Sequence, residues 1–93
     1  MAERHVNVGW ADGLHARPAS IFVRAATAAG VPVTIARAGG EPVNARSMLA
    51  VLGLGVQGGE EVVLDSPAEG AEAALDRLVK LVAEGLEELP ETV

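Results

Sequence analysis

The chain has 93 residues, a formal net charge of −6, no cysteine, one Trp and one Phe. This length suits one domain, and the absence of cysteine excludes disulfides, thiolate metal sites and cysteine nucleophiles. The acidic balance and the scarcity of aromatic residues argue against a nucleic-acid partner, and no apolar run indicates a signal peptide or direct membrane insertion. We therefore expect a single cytoplasmic domain over residues 1–93.

The N-terminal third of the chain predicts a strand followed by a helix. Residues 4–8 alternate in polarity, as is typical of a half-buried strand. Residues 9–14 are expected to form a loop, with Trp10 as a partly buried lid on the sheet edge. Residues 16–29 predict a helix that Gly30 ends. The apolar face of this helix is formed by four residues at helical spacing: Ala19, Phe22, Val23 and Ala26.

The middle of the chain predicts a hairpin, a short helix and a further strand. Residues 32–37 alternate again, and a turn at residues 38–40 returns the chain as a short partner strand over residues 41–44. Residues 47–54 have the spacing of a two-turn helix. Residues 60–65 predict the last strand.

The last helix has the most complete start signals. Ser66 is placed as the N-cap, Pro67 as the first helical residue and Glu69 as the third, which together form a capping box. The helix is expected to end at residues 89–90. The resulting order, β-α-β-β-α-β-α, favours an α+β fold in which helices cover one side of an antiparallel sheet. Helical spacing is kept by Ala71, Leu75, Leu78, Val82 and Leu86.

The strongest functional signal is the stretch GLHARPA over residues 13–19. It places His15 at or next to a helix N-terminus, where unpaired N–H groups and a partial positive charge can hold an anion. Pro18 has no N–H, the N–H groups of Ala16 and Arg17 remain available, and the Arg17 guanidinium can bind two phosphoryl oxygens. The positive helix end also favours a neutral imidazole that can attack phosphorus. A histidine before a helix is by itself more often a local cap, so its neighbours carry the prediction of phosphoryl chemistry.

Two further features indicate a docking surface. Polar residues at helical spacing form one stripe on the first long helix, called the cationic stripe below: Arg17, Ser20, Arg24 and Thr27. Apolar residues on one side of the short helix form a second feature, called the apolar patch below: Met48, Leu49 and Leu52. A solvated helix face and ordinary core residues are the competing interpretations, and Val51 is assigned to the core. A two-turn helix cannot bury every side, so part of the patch is expected to face solvent and to serve as a protein interface.

Other polar residues have more ordinary interpretations. Ser47 has the position of a plain N-cap, and a phosphate there would lie on a positive helix end, which makes it a candidate regulatory phosphosite. His5 is interpreted as a surface residue. The two histidines and scattered carboxylates show no metal-ligand spacing, and no phosphate-binding loop, nucleophile elbow or catalytic carboxylate pair is present. No metal or cofactor is expected.

Two segments together resemble a known family. Residues 13–19, followed by Phe22 and Val23, and the stretch NARSMLAVLGLG over residues 44–55 resemble HPr, the histidine-containing phosphocarrier of the bacterial sugar phosphotransferase system. The resemblance covers nearly the whole chain. It implies an open-faced sandwich with a four-stranded antiparallel sheet under three helices, and a carrier rather than a stand-alone enzyme. A monomer is the default expectation, since the sequence does not fix the oligomeric state.

The resemblance also implies roles for individual residues. His15 would accept a phosphoryl group on Nδ1 from phospho-Enzyme I, which draws it from phosphoenolpyruvate, and would pass it to the A component of sugar-specific Enzyme II complexes. Arg17 would stabilise the phosphoryl oxygens. Ser47 would be the target of a serine kinase, giving a form that binds a transcription regulator. Thr27 stands where many members carry a cation. The family's docking positions fall on Ser20, Arg24, Thr27, Met48, Leu49 and Leu52.

Two alternatives remain open from the sequence. One is a paralogous carrier in a nitrogen-related phosphotransfer chain. The other is a regulatory binding module that acts through phosphorylation of Ser47 and carries no phosphoryl group, against which the presence of His15 argues. A small stand-alone hydrolase is disfavoured because no base–nucleophile arrangement is present.

Overall fold

The computed structural model describes residues 2–10, 13–14 and 16–84 of the chain, and its elements follow the predicted order. The strands are β1 (Ala2–Asn7), β2 (Thr34–Arg37), β3 (Val43–Asn44) and β4 (Glu61–Ser66). The helices are α1 (Ala16–Ala28), α2 (Met48–Gly53) and α3 (Glu72–Glu84). The predicted α+β class is confirmed.

The four strands form one antiparallel sheet in the order β1-β4-β2-β3. Strand β4 is central to it, since Val6 of β1 lies opposite Val62 and Ile35 of β2 lies opposite Leu64. The first and last strands of the chain are therefore neighbours, and β2 and β3 form the predicted hairpin beside them.

Alternation along the strands separates a covered face of the sheet from an exposed one. Val62 and Leu64 of β4 are fully buried, whereas Val63 and Asp65 between them are only half-buried. Helix α3 contacts β1 and β4, and the apolar residues of α1 join the buried strand residues in one hydrophobic core. Burial of aliphatic and aromatic surface in this core is the main stabilising term. Of the four residues predicted for the apolar face of α1, Val23 is half-buried. The other three are completely buried: Ala19, Phe22 and Ala26.

The predicted capping box at the start of the last helix is wrong. Ser66 is the final residue of β4, fully buried and paired with Ala2, so it belongs to the sheet. Its hydroxyl accepts the N–H of Ala68 over 3.2 Å in a local turn. The helix starts one turn later, with the Leu75 N–H donating to the Ala71 carbonyl over 2.9 Å. Pairing with β1 decided this, and nothing in the local sequence reveals it.

Trp10 is also placed differently from the prediction. It is 3% exposed and lies in the core instead of forming a partly buried lid. Its indole N–H finds no hydrogen-bond partner among the described residues. The bulk of the only Trp contributes apolar surface to an otherwise aliphatic core.

The hairpin is shorter than its alternation predicts. β3 contains only Val43 and Asn44, instead of residues 41–44. Pro42 has no N–H to donate to the ladder, which limits pairing at that end of an edge strand. The expected helix end at residues 89–90 and the buried position of Leu86 lie outside the described residues.

Candidate functional site

The predicted acceptor and part of its surroundings lie outside the described residues. This applies to His15 and to the side chain of Ala16. The chain on both sides is described: Leu14 is fully buried, and α1 begins at Ala16. The prediction that the GLHARPA stretch leads directly into a helix is therefore confirmed.

The first turn of α1 offers free backbone N–H groups and an exposed arginine. The first N–H groups of a helix have no intrahelical acceptor, and they lie at the positive end of the helix dipole. Arg17 is exposed in this turn and forms no ion pair with any described residue. No acidic residue occurs in α1. This helix end can therefore hold an anionic group without competition from a carboxylate of its own helix.

The cationic stripe lies on the outer side of α1. Arg17, Arg24 and Thr27 are exposed, and Ser20 is half-buried. The Thr27 hydroxyl donates to the Val23 carbonyl over 2.8 Å, so it is engaged within its own helix. The two arginines are thus the charged groups that the stripe offers to a partner.

Helix α2 carries the apolar patch beside α1. Leu49 is 84% exposed, Leu52 is 37% exposed and Met48 is half-buried, whereas Val51 on the opposite side is fully buried. Contacts between α1 and α2 bring the stripe and the patch onto neighbouring helices. An exposed apolar group beside arginines is the composition expected of a small protein-binding surface.

Ser47 is the N-cap of α2, as predicted. Its hydroxyl accepts the Ala50 N–H over 3.2 Å, and its backbone is extended at φ −101° and ψ 114°. The preceding residue, Arg46, is exposed and forms no ion pair with a described residue.

His5 confirms the expectation of a surface position and adds an unexpected arrangement. Its Nδ1 lies 2.8 Å from a Glu61 carboxylate oxygen, and its Nε2 lies 2.7 Å from one of Glu3. Hydrogen bonds from the His5 ring to the carboxylates of Glu61, the larger effect, and of Glu3 raise the pKa of His5 above 6.5. Because both ring nitrogens face carboxylates, these contacts favour the imidazolium form of His5, whereas phosphoryl acceptance requires a neutral ring.

Among residues 2–10, 13–14 and 16–84, no helix combines the length and apolarity needed to cross a membrane. These residues also include no group of three or more His, Asp or Glu side chains arranged to hold a metal ion.

Comparison with known proteins identifies the family. A family model described as the PTS HPr component phosphorylation site matches residues 2–84. The phosphocarrier protein HPr of Streptomyces coelicolor is 86% identical over 93 residues, which cover all of both chains. The HPr of Haloferax volcanii is 49% identical over 82 residues, covering 87% of this chain and 92% of that one.

A solved structure agrees with the sequence matches. The crystal structure of HPr-C-His from Thermoanaerobacter tengcongensis superimposes with a TM-score of 0.85 at 31% identity, covering 97% of this chain and all of that one. The fold is an open antiparallel sheet under three helices, and its first helix begins directly after a histidine. Together with these matches, it places the chain in the class of small phosphocarriers. This chain belongs to the HPr family of the phosphotransferase system.

Proposed function

We propose that this chain relays a phosphoryl group on His15, taking it on Nδ1 from phospho-Enzyme I and giving it to the A components of sugar-specific Enzyme II. The observation that carries the proposal is the start of α1 at Ala16, immediately after His15, in a chain matched by a phosphorylation-site family model. Phosphoenolpyruvate is the original donor to Enzyme I. No cofactor or metal takes part in the proposed relay.

Each transfer is an exchange between two imidazoles. The P–N bond of the donor phosphohistidine breaks as a bond forms between phosphorus and Nδ1 of His15, and the donor ring recovers its lone pair. The next transfer reverses these roles with the acceptor histidine. Little covalent chemistry is left to the protein, so positioning and electrostatics carry its contribution.

The start of α1 supplies those electrostatics. The backbone N–H groups of Ala16 and Arg17 donate to the phosphoryl oxygens, and the Arg17 guanidinium stabilises their charge. Because Arg17 is exposed, a phosphoryl group held beside it can be reached by two different partners in turn. A carrier needs this accessibility, because it must hold the phosphoryl group without enclosing it.

Docking is proposed for the surface that α1 and α2 form together. Arg24 attracts acidic partners, while Ser20 and Thr27 complete the cationic stripe. The apolar patch, with Leu49 its most exposed member, is buried in each transient complex. A small interface suits partners that must separate quickly. The carrier is proposed to act as a monomer in the cytoplasm.

Ser47 is proposed as a regulatory phosphosite on the same surface. Its hydroxyl lies at the start of α2, next to the patch residue Met48. A phosphate there would add negative charge beside a surface intended for acidic partners and would slow their docking. Incubation with ATP and cell extract should yield acid-stable phosphoserine on the wild type and none on Ser47→Ala. Unlabelled wild-type protein would leave Ser47 as a helix cap.

The relay is tested with Enzyme I and radiolabelled phosphoenolpyruvate. We expect acid-labile, base-stable label on the wild type and none on His15→Ala. His5→Ala is the matched control, because it removes the other histidine and should retain full labelling. Label that persists on His15→Ala would overturn the site assignment, and an unlabelled wild type would overturn the relay. Transfer onward to sugar-specific rather than nitrogen-branch acceptors separates the two carrier alternatives.

A further inference from the structure

We propose that Gly13 is a positioning residue, which lets the segment before His15 lie directly on the backbone of Val56 and Gln57. This inference rests on the proposed relay. It concerns how the chain is held where it enters the phosphoryl site, and it involves a loop that lies far from that site in sequence.

The contact at Gly13 leaves no room for a side chain. Its φ is +70°, and a Cβ built on it would lie 2.2 Å from the Val56 carbonyl oxygen and 2.8 Å from Cα of Gln57. All of these neighbours are backbone atoms, which cannot rotate away as the end of a side chain can. The Gly13 N–H donates to the Trp10 carbonyl over 2.9 Å, which fixes the segment from its other side.

The next residue, Leu14, adds a hydrogen bond to the same backbone contact. The Leu14 N–H donates to the Val56 carbonyl over 3.1 Å, and both side chains are fully buried. Since Leu14 precedes position 15 and α1 begins at Ala16, the chain is anchored on each side of the proposed acceptor. A displacement of about 1 Å at a reacting group can cost about a hundredfold in rate.

The loop that receives this segment is itself braced. The Gln57 N–H donates to one Glu60 carboxylate oxygen over 2.8 Å, and Arg37 of β2 donates to the other over 2.7 Å. Arg37 also donates to the Leu54 carbonyl over 3.3 Å. Hydrogen bonding from Gln57, reinforced by Arg37, lowers the pKa of Glu60 against the opposing effect of desolvation. The brace therefore ties the loop under Gly13 to the sheet.

The decisive comparison pairs Gly13→Ala with Gly30→Ala. Gly30 has nearly the same backbone conformation, with φ +78°, but nothing lies within 4 Å of the Cβ that alanine would add. Both variants therefore carry the cost of a left-handed alanine, and only Gly13→Ala also displaces the loop contact. Single-turnover phosphorylation by Enzyme I is measured for both, together with thermal unfolding.

We expect the transfer rate of Gly13→Ala at saturating carrier to fall about tenfold or more, with KM changed less than about twofold because the stripe and patch are intact. Gly30→Ala should transfer at the wild-type rate. Equal rates for the two variants, whether both fast or both slow, would overturn the inference. A defect confined to a raised KM, with the saturated rate unchanged, would also overturn it, because that result would indicate a role in docking instead of positioning.

A second variant covers the case in which Gly13→Ala fails to fold. Glu60→Gln weakens the brace at an exposed ion pair and should leave the fold intact. We expect its saturated transfer rate to fall about threefold at unchanged KM, and a wild-type rate would overturn the inference. If the wild type itself accepts no label, the relay fails and this inference falls with it. A labelled wild type beside an equally fast Gly13→Ala rejects the positioning role alone.

Discussion

The exposed face of the sheet and the surface formed by α1 and α2 differ in whether their basic side chains are paired with carboxylates. On the sheet, His5 is bonded through both ring nitrogens to Glu61 and Glu3. On α1, Arg17 and Arg24 form no ion pair with any described residue. The chain has 13 acidic and 7 basic residues, so unpaired arginines are not explained by a shortage of carboxylates.

The difference follows from where the acidic residues are placed. Neither α1, with the sequence ARPASIFVRAATA, nor α2, with the sequence MLAVLG, contains an Asp or Glu. The strands and α3 contain the partners instead, as in the ion pair between Arg4 and Asp76 at 2.8 Å. Internal pairing would neutralise the cations that are proposed to attract a partner. The surface proposed for docking is therefore distinguished by the acidic residues that its helices lack as well as by its exposed arginines.

The largest effect is expected when the arginine two residues after His15 in the sequence is removed. Arg17→Ala should slow phosphoryl transfer about a hundredfold, as the loss of one donor to a charged transition state commonly does. Arg77→Ala removes an exposed arginine of α3 and should transfer at the wild-type rate. Single-turnover kinetics with Enzyme I provide the measurement. Equal rates for the two variants would show that the surfaces do not differ in function.

A smaller effect is expected along the cationic stripe. Arg24→Glu should raise KM for Enzyme I about tenfold with little change in the saturated rate, because it reverses a charge that steers encounter. The defect should shrink as salt is added. Arg77→Glu makes the same reversal on α3 and serves as the control. A salt-independent defect would contradict the electrostatic explanation.

The apolar patch should show an effect of about fivefold. Leu49→Ala removes a side chain that is 84% exposed, so it should weaken docking by about 1 kcal/mol without changing stability. Val51→Ala changes a fully buried residue of the same helix and should lower the free energy of unfolding by about 2 kcal/mol. Docking is measured by KM and stability by urea unfolding. A stability loss in Leu49→Ala would place Leu49 in the core instead.

The smallest effect belongs to the paired side of the comparison. Because hydrogen bonds to the carboxylates of Glu61 and Glu3 raise the folded-state pKa of His5 above 6.5, the stabilising contribution of His5 is fully present below pH 6.5. It is lost as pH rises through the higher folded-state pKa. His5→Gln should therefore lower stability more at pH 6 than at pH 9, with phosphoryl transfer unaffected. Urea unfolding at the two pH values tests this, and a pH-independent difference would mean that the imidazolium pair contributes nothing.

Part of the candidate site could be predicted from the sequence because it depends on local spacing. The apolar residues of α1 recur every three or four positions, which orients Arg17 and Arg24 outward as soon as the helix forms. The same local logic identified Ser47 as a cap and predicted that part of the apolar patch faces solvent.

By itself, the sequence determined the order of the elements, the two-layer class and the helix that follows His15. These depend on periodicity and on residues whose backbone preferences act over a few positions. Only the tertiary structure decided the burial of Trp10, the late start of α3 and the close backbone contact between Gly13 and Val56. Each of these joins segments that are distant along the chain, and side-chain periodicity does not record which distant backbone will lie alongside.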